Sequence, residues 1–469
     1  MMVVEFKNLN ESWKIVGFNF FILGLIFLLL SHLVDSNDWF LHGIFFILSS
    51  FIVFKQFLKL IYMPKEILFI DLRWVFLFSF WCYFVFGSSL LVFGSDEMIN
   101  NTKEIYPVSL NLALKINSVN AIGLSIVLLI ISNFKILWPI NIINGLKKEI
   151  KYFDPMGHRS LIVAICFCLF SLVYSIFENI GYMDRNFLHG IYQIFQHAGI
   201  GFVLTFFYYK GKYRKLIYFI ITLYLCLYIA NGFFNLNRSL ILAPIAFLTV
   251  SFCIKKNSFK LLAILLIGSI FLVQILGSYT TYKRSYDKDF KFSSIINPTE
   301  SKYAFSLWDR FNYTSSQAAA IDFYNKGDGG DGLNNIFWLF VPRFLNKDKP
   351  DVSSSSAKFA KKFRKNGGSR DSPGVFVEGY YNYGWIGLIF VSSLIGLIIK
   401  IYSILIKAII LNKIYSFYFI VFSGIWTCFR IDGLFITDYL GQMILFLYFI
   451  ILLIFILKIL YSLTSHKKL

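Results

Sequence analysis

Apolar stretches long enough to cross the roughly 30 Å of bilayer hydrocarbon recur at 13–33, 39–61, 74–93, 119–138, 160–177, 187–209, 216–234, 236–254, 261–280, 384–406, 415–430 and 439–461. These twelve runs predict an all-α, polytopic membrane protein, because runs of about twenty apolar residues span as helices whose backbone is satisfied within the segment. The runs at 236–254 and 415–430 reach full length only by taking in an arginine near one end. Between residues 278 and 382 the pattern changes. About a hundred polar, aromatic and basic residues follow one another there, the longest water-compatible stretch in the sequence. The chain therefore divides into spans one to nine over 1–280, one large loop with short amphipathic helices over 281–382, and spans ten to twelve over 383–469. The chemistry is expected in the loop.

Within the loop, Ala304, Leu307, Phe311, Ala318 and Ile321 approximate a helical stripe over 300–324. The stripe predicts an amphipathic helix with Asp309, Arg310, Tyr313 and Gln317 on or beside its wetter side, closed by Lys326 and Gly327. The Gly-Asp-Gly-Gly-Asp-Gly run at 327–332 lacks the spacing of an EF-hand calcium loop and reads as a flexible turn. Residues 336–344 return to apolar character, as in a chain meeting a membrane surface, and include Val341-Pro342-Arg343, with Lys347, Lys349 and Pro350 beyond. A small serine linker follows at 353–356. Residues 358–365 then set Phe359 and Phe363 one helical turn apart beneath Lys361, Lys362, Arg364 and Lys365, the pattern of a short basic interfacial helix. Gly367, Gly368, Pro373 and Gly374 interrupt it before the chain returns to the bilayer.

Charge orients these elements, since short cytoplasmic loops retain Lys and Arg. Basic residues collect at Lys7 and Lys14, at Lys55, Lys59 and Lys65, at Lys147, Lys148 and Lys151, and at Lys210, Lys212, Arg214 and Lys215. They recur at Lys255, Lys256 and Lys260, at Lys400, Lys407 and Lys413, and at Lys467 and Lys468. The intervening short loops carry few, with Asp35 and Asp38 in one and Glu178 and Asp184 against Arg185 in another. Both termini are thus expected in the cytoplasm and the large loop outside. The formal charge of +19 follows largely from this topology and does not call for nucleic acid as a partner. The loop itself holds sixteen Lys/Arg against eleven Asp/Glu, a net of +5, which suits either an anionic ligand or acidic lipid headgroups.

Hydrophobic residues make up 57% of the chain and aromatic ones 20%, against about half apolar in a soluble domain. All six cysteines, Cys82, Cys166, Cys168, Cys226, Cys253 and Cys428, fall in expected spans, so neither a disulfide framework nor a cysteine metal site is expected. The first apolar run is too long for a cleavable signal peptide and leads directly into the second. There is no repeat of fixed period.

Some polar residues stand where burial is expensive. Arg238, with Asn231 and Asn235 just before it, opens span eight at its external end, and Arg430, followed by Asp432, ends span eleven on the same side. An arginine at membrane depth costs about 2.5–3.5 kcal/mol on the lenient scale, so it either lines a polar cavity or snorkels to the interface. His189, Gln193, Gln196 and His197 share one face of span six and read as interhelical hydrogen bonding.

Three segments bear a resemblance. Asn237-Arg238-Ser239 resembles the arginine motif of the O-antigen polymerase (Wzy-type) family. Val341-Pro342-Arg343 with Lys347, Lys349 and Pro350 resembles that family's Pro-Arg followed by Lys-Pro, and residues 378–387 (EGYYNYGWIG) resemble its Glu-x-Tyr-x-Asn-x-Gly-x-x-Gly run. The related ligases carry a loop histidine, whereas 281–382 here contains none, which favours a polymerase.

The resemblance implies a glycosyltransferase of the cytoplasmic (inner) membrane that joins polyprenyl-diphosphate-linked oligosaccharide repeat units at the external face. Its implied partners are that lipid-linked substrate, membrane lipid, a chain-length regulator and a flippase. The implied residues are Arg238, Arg343 and Arg430 on the diphosphate, with Arg284, Arg310 and Arg370 behind them, and Glu378 as general base or as a capping or arginine-orienting group. Trp308, Tyr313, Tyr380 and Tyr381 would stack on sugars or pack. Guanidinium forks suit a diphosphate, so no metal or cofactor is expected. A transporter or flippase of lipid-linked oligosaccharide and a ligase-like transferase are the alternatives.

Overall fold

The described apolar runs fold as helices, and the computed structural model has no strand among its described residues. Those residues are 2–34, 39–61, 71–133, 214–234, 311–341, 354–364, 372–411 and 418–441, with single positions elsewhere. The helices in chain order are α1 (Met2–Leu33), α2 (Phe40–Ile61), α3 (Leu72–Phe80), α4 (Leu90–Phe93), α5 (Asp96–Ile105), α6 (Leu110–Asn133), α7 (Arg214–Phe234), α8 (Thr314–Asn325), α9 (Ser354–Arg364), α10 (Val375–Leu411) and α11 (Tyr418–Phe429). Among the described residues, five helices are long and apolar enough to cross a membrane: Leu9–Leu33, Phe40–Leu60, Leu72–Phe93, Leu110–Asn133 and Val375–Lys407. The chain is a membrane protein on that ground. The runs at 216–234 and 415–430 fall on α7 and α11. Those at 160–177, 187–209, 236–254, 261–280 and 439–461 lie wholly or largely outside the described residues.

The bundle is built around α6. In its most apolar window 78% of residues are buried, against 33% for α2 and 44% for α10, so α6 is the helix the others pack upon. It runs along α1, where Gly24 leaves room that a Cβ would take from Ile122 Cγ1, at 2.6 Å. Small residues at such crossings let helix backbones approach in lipid, where no hydrophobic force drives them together. On another side Gly123 faces the ring of Phe376. Phe376 completes an aromatic cluster with Phe76, Phe80 and Phe84, ring centroids 5.9–6.3 Å from its own.

One span starts earlier than hydropathy predicts. The fourth was expected at 119–138, but α6 begins at Leu110, because Lys115, Asn117, Ser118 and Asn120 lower the local hydropathy. Asn117 Nδ2 donates to His42 Nδ1 (2.8 Å), leaving His42 Nε2–H for the Ser88 carbonyl (3.0 Å). Lys115 donates to Asn325 Oδ1 (3.1 Å) and Asn120 to Gln317 Oε1 (3.4 Å). These hydrogen bonds offset part of the cost of burying polar side chains. The tenth span, expected at 384–406, follows a break in helical geometry at Tyr383 and Gly384 within the segment Val375–Leu411.

The helix expected at 300–324 is seen from Thr314 to Asn325, and it has no wet Gln317 side. Residues Thr314 to Ile321 are all buried, because α8 is enclosed by α5, α6 and α10. Several of its polar groups are matched by theirs. Ser315 Oγ donates to the Thr102 carbonyl (2.7 Å), Asn312 Nδ2 to Thr102 Oγ1 (2.9 Å) and Ser316 Oγ to the Ser372 carbonyl (2.9 Å). Lys326 and Gly327 (φ 81°) do end the helix. The serines expected as a linker, Ser354 to Ser356, form the first turn of α9, a place where serine is favoured.

At the far end of α6, a buried ion pair joins three helices. Asp71 caps α3 and receives Arg73 Nε (2.7 Å) and Nη2 (3.0 Å). Trp13 Nε1 donates to Asp71 (2.8 Å), and Arg73 Nη1 reaches Asn10 (2.8 Å) and Ser132 (3.2 Å).

Candidate functional site

The EGYYNYGWIG run of 378–387 builds a helical hairpin. Within α10 the backbone leaves helical geometry at Tyr383 (φ −143°, ψ 26°) and Gly384 (φ 60°, ψ −140°), the latter a conformation that side-chain-bearing residues rarely adopt. The chain then turns back on itself. A Cβ on Gly379 would lie 2.8 Å from the Gly387 carbonyl oxygen and 3.1 Å from Val391 Cβ, contacts out of reach in a straight helix, where eight residues span about 12 Å. The run's three glycines thus serve one turn and one close crossing. Its asparagine holds the arrangement from outside: Asn382 Nδ2 donates to the Glu378 carbonyl (2.8 Å), and Asn382 Oδ1 accepts from Leu333 N–H (3.3 Å).

The short arm of the hairpin carries Glu378, 3% exposed. Its Oε2 accepts the backbone N–H of Phe435, which opens the π-helical turn Phe435–Leu440. That contact caps the turn. Glu378 also lines a cavity of about 340 Å³, together with Tyr381, Asn382, Pro373, Leu434, the glycine-aspartate loop 327–332, and Lys358, Phe359 and Lys362 of α9.

Above this cavity the 327–332 loop, read from sequence as a flexible turn, is docked. Gly330 N–H donates to the Tyr381 carbonyl (3.0 Å), and a Cβ on Gly330 would strike the Tyr381 ring. Asp331 pairs with Lys358 (2.9 Å) and Asp328 with Lys362 (2.8 Å). The lysines are presented by the amphipathic pattern of α9. Phe359 and Phe363 are buried, stacked on each other with centroids 5.8 Å apart, and Phe359 lies edge-on to Tyr381 at 5.4 Å. The loop's root is fixed too, because Asp322 accepts from Tyr106 Oη and Lys326 Nζ, both at 2.5 Å. Burial tends to raise the Asp322 carboxyl, but these hydrogen bonds and the Lys326 charge outweigh it and hold it below the usual aspartate value. Burial, and then Asp322 itself, push the Tyr106 hydroxyl well above the usual tyrosine value, so it stays a donor.

The expected site residues separate into four groups. Glu378 and Tyr381 meet at the cavity. Tyr313 and Arg430 are brought close to it in the chain's path. Tyr313 Oη donates to Asp432 (2.8 Å), in the turn Arg430–Asp432 that precedes Phe435, the donor to Glu378. Tyr380 belongs to the packing, with Tyr324 and Trp385 at 5.1 and 5.3 Å and Lys115 Nζ over its ring. Arg238, Arg343, Arg284, Arg310, Arg370 and Trp308 lie outside the described residues, as does the His189–His197 seam.

Sequence reasoning passed over Lys358 as a partner for Lys362, though their spacing of four puts them on one helix face. It also passed over Asp328 and Asp331 as those lysines' counterions. Among the described residues no three His, Cys, Asp or Glu side chains gather as metal ligands. Chemically, the cavity offers a carboxylate at its floor, two ammonium groups at its rim and an aromatic wall. No protein-family model, no curated protein and no solved structure matches the chain.

Proposed function

We propose that the chain is an oligosaccharide repeat-unit polymerase, working at the external face of the cytoplasmic membrane with twelve spans and both termini inside. The observation that carries this reading is Glu378, a buried carboxylate on a glycine-built hairpin, at the floor of a cavity rimmed by cations. In the proposed reaction the acceptor sugar hydroxyl attacks the anomeric carbon of the growing glycan. The bond from that carbon to the polyprenyl diphosphate oxygen breaks, the diphosphate leaves with the electron pair, and the hydroxyl proton passes to the Glu378 carboxylate. Arg430, with Arg238 and Arg343, stabilises the charge that develops on the diphosphate, while Tyr381 and Phe359 give a sugar ring an aromatic wall. The bond energy is already stored in the glycosyl diphosphate, so neither nucleotide nor ion gradient takes part.

Purified protein in detergent, given only lipid-linked repeat units, is expected to produce a ladder of longer glycans and to release polyprenyl diphosphate. Glu378→Gln keeps an acceptor for Phe435 N–H and is expected to slow the ladder by about 10²- to 10⁴-fold with little change in melting temperature. A second reading, a transporter of the same lipid, draws on His42, Asn117, Asn120 and Gln317, all buried within the bundle. Movement of the lipid between leaflets with no change in glycan length would establish it and overturn the polymerase. Reporter fusions near Ser354 and Lys148 check the orientation: Ser354 in the cytoplasm would remove the external site.

A further inference from the structure

Lys358 and Lys362 line the cavity, yet in this structure both are engaged by the chain's own carboxylates. Asp331 and Asp328 approach them at 2.9 and 2.8 Å, and Lys362 Nζ also donates to the Asp328 carbonyl (3.2 Å). All four groups line the same cavity as Glu378. With the aspartates in place, two ammonium groups face three carboxylates and the cavity is net negative. With them withdrawn it is net positive.

The aspartates sit between glycines 327, 329, 330 and 332, so once the Gly330–Tyr381 hydrogen bond is released the loop carrying them has wide backbone freedom. Lys358, Asp331 and Asp328 are more than half exposed, and exposed pairs of this kind hold weakly. The lysines by contrast are set on a helix anchored through Phe359 and Phe363. One side of each pair is firmly placed and the other is exchangeable.

We propose that Lys358 and Lys362 form a diphosphate-binding pair, and that Asp328 and Asp331 are placeholder counterions which an incoming diphosphate displaces, opening the loop over Glu378. The ligand class rests on the polymerase reading, but the latch has its own test. Two phosphate groups present several charged acceptors to two ammonium groups and outcompete two exposed carboxylates. The latch keeps the cavity unattractive to anions until one arrives that carries enough charge to exchange with both aspartates.

Isothermal titration of the full chain in neutral detergent, with inorganic pyrophosphate and with farnesyl diphosphate as probes, reads the exchange directly. Asp328→Asn with Asp331→Asn is expected to tighten both probes about three- to tenfold, the release of two exposed ion pairs. Lys358→Ala with Lys362→Ala is expected to weaken them on the order of tenfold, and the paired Arg substitutions to retain binding. If the ion pairs were merely structural, the aspartate changes would weaken binding or leave it unchanged, and either result overturns the proposal. Tightening of both probes assigns the site to the diphosphate itself. Tightening of farnesyl diphosphate alone assigns it to a lipid-linked headgroup. A wild-type ladder with no tightening in the aspartate variant sinks the latch and leaves the polymerase. Tightening without any ladder leaves the latch and sinks the polymerase.

Discussion

Two sets of carboxylate–cation pairs, one held against Ser132 of α6 and one between α9 and the 327–332 loop, are built for opposite purposes. The Asp71–Arg73 pair is buried. Its guanidinium fork meets both carboxylate oxygens, and Trp13, Asn10 and Ser132 occupy remaining donors and acceptors. The Asp331–Lys358 and Asp328–Lys362 pairs are more exposed, each ammonium meeting its carboxylate from the end of a flexible stem. Arg with its rigid fork fixes the meeting of α1, α3 and α6; Lys with its rotatable ammonium suits exchange. Burial and geometry, rather than the identity of the charges, separate a structural rivet from a replaceable contact.

The comparison breaks most visibly at its rigid end. Arg73→Ala leaves the Asp71 carboxylate buried without its counterion, and is expected to cost about 3–5 kcal/mol, read as a large fall in melting temperature in detergent. Arg73→Lys keeps charge without the fork and should fall between that variant and wild type. A melting temperature unchanged in Arg73→Ala would show that the buried pair is not what ties the three helices.

Next in size is the hairpin that sets Glu378. Gly384→Ala places a side chain at φ 60°, ψ −140° and against the Tyr324 hydroxyl. The expected loss is about 1–3 kcal/mol, with ladder formation lowered further because Glu378 loses its setting. Equal melting curves for Gly384→Ala and wild type would contradict the turn.

The exchangeable end should hardly register in stability. Lys358→Ala and Lys362→Ala are each expected to shift unfolding by less than about 1 kcal/mol, and raising salt should shrink even that difference. A loss comparable to that in Arg73→Ala would erase the contrast.

Smallest is the acid response of the loop's root. Since Asp322 is held below its ordinary value in the folded protein, its contribution is complete above the unfolded value near about pH 4. It is lost as pH falls through the lowered folded value. Melting temperature followed from pH 6 downward should therefore decline less steeply in Asp322→Asn than in wild type; parallel curves would dismiss the linkage.

How much of this was legible beforehand differs from element to element. The basic helix at 358–365 could be read because its two phenylalanines and its lysines obey a helical spacing that needs no partner to be recognised. The Lys326–Gly327 stop was equally local. The start of α6 was not legible, since hydropathy charges Lys115, Asn117 and Asn120 the full price of burial and does not know that His42, Asn325 and Gln317 are waiting for them. Glu378 was nominated from its motif, but its cavity was not foreseen. Its walls come from loop 327–332, α9 and Leu434, which are far apart in the chain.

By itself, then, the sequence determined that the chain is helical and lies in a membrane, because side-chain transfer cost and helical period are properties of each segment alone. It also determined where α9 places its charge. Only the tertiary structure decided that residues 378–387 turn back as a hairpin, that α8 is enclosed, that Asp71 and Arg73 are buried together, and that two aspartates cover two lysines above Glu378. Each of these depends on which surfaces meet. The same aspartate is costly when buried alone, firm when buried in a bidentate pair and readily exchanged at an exposed rim, and packing settles which of the three it becomes.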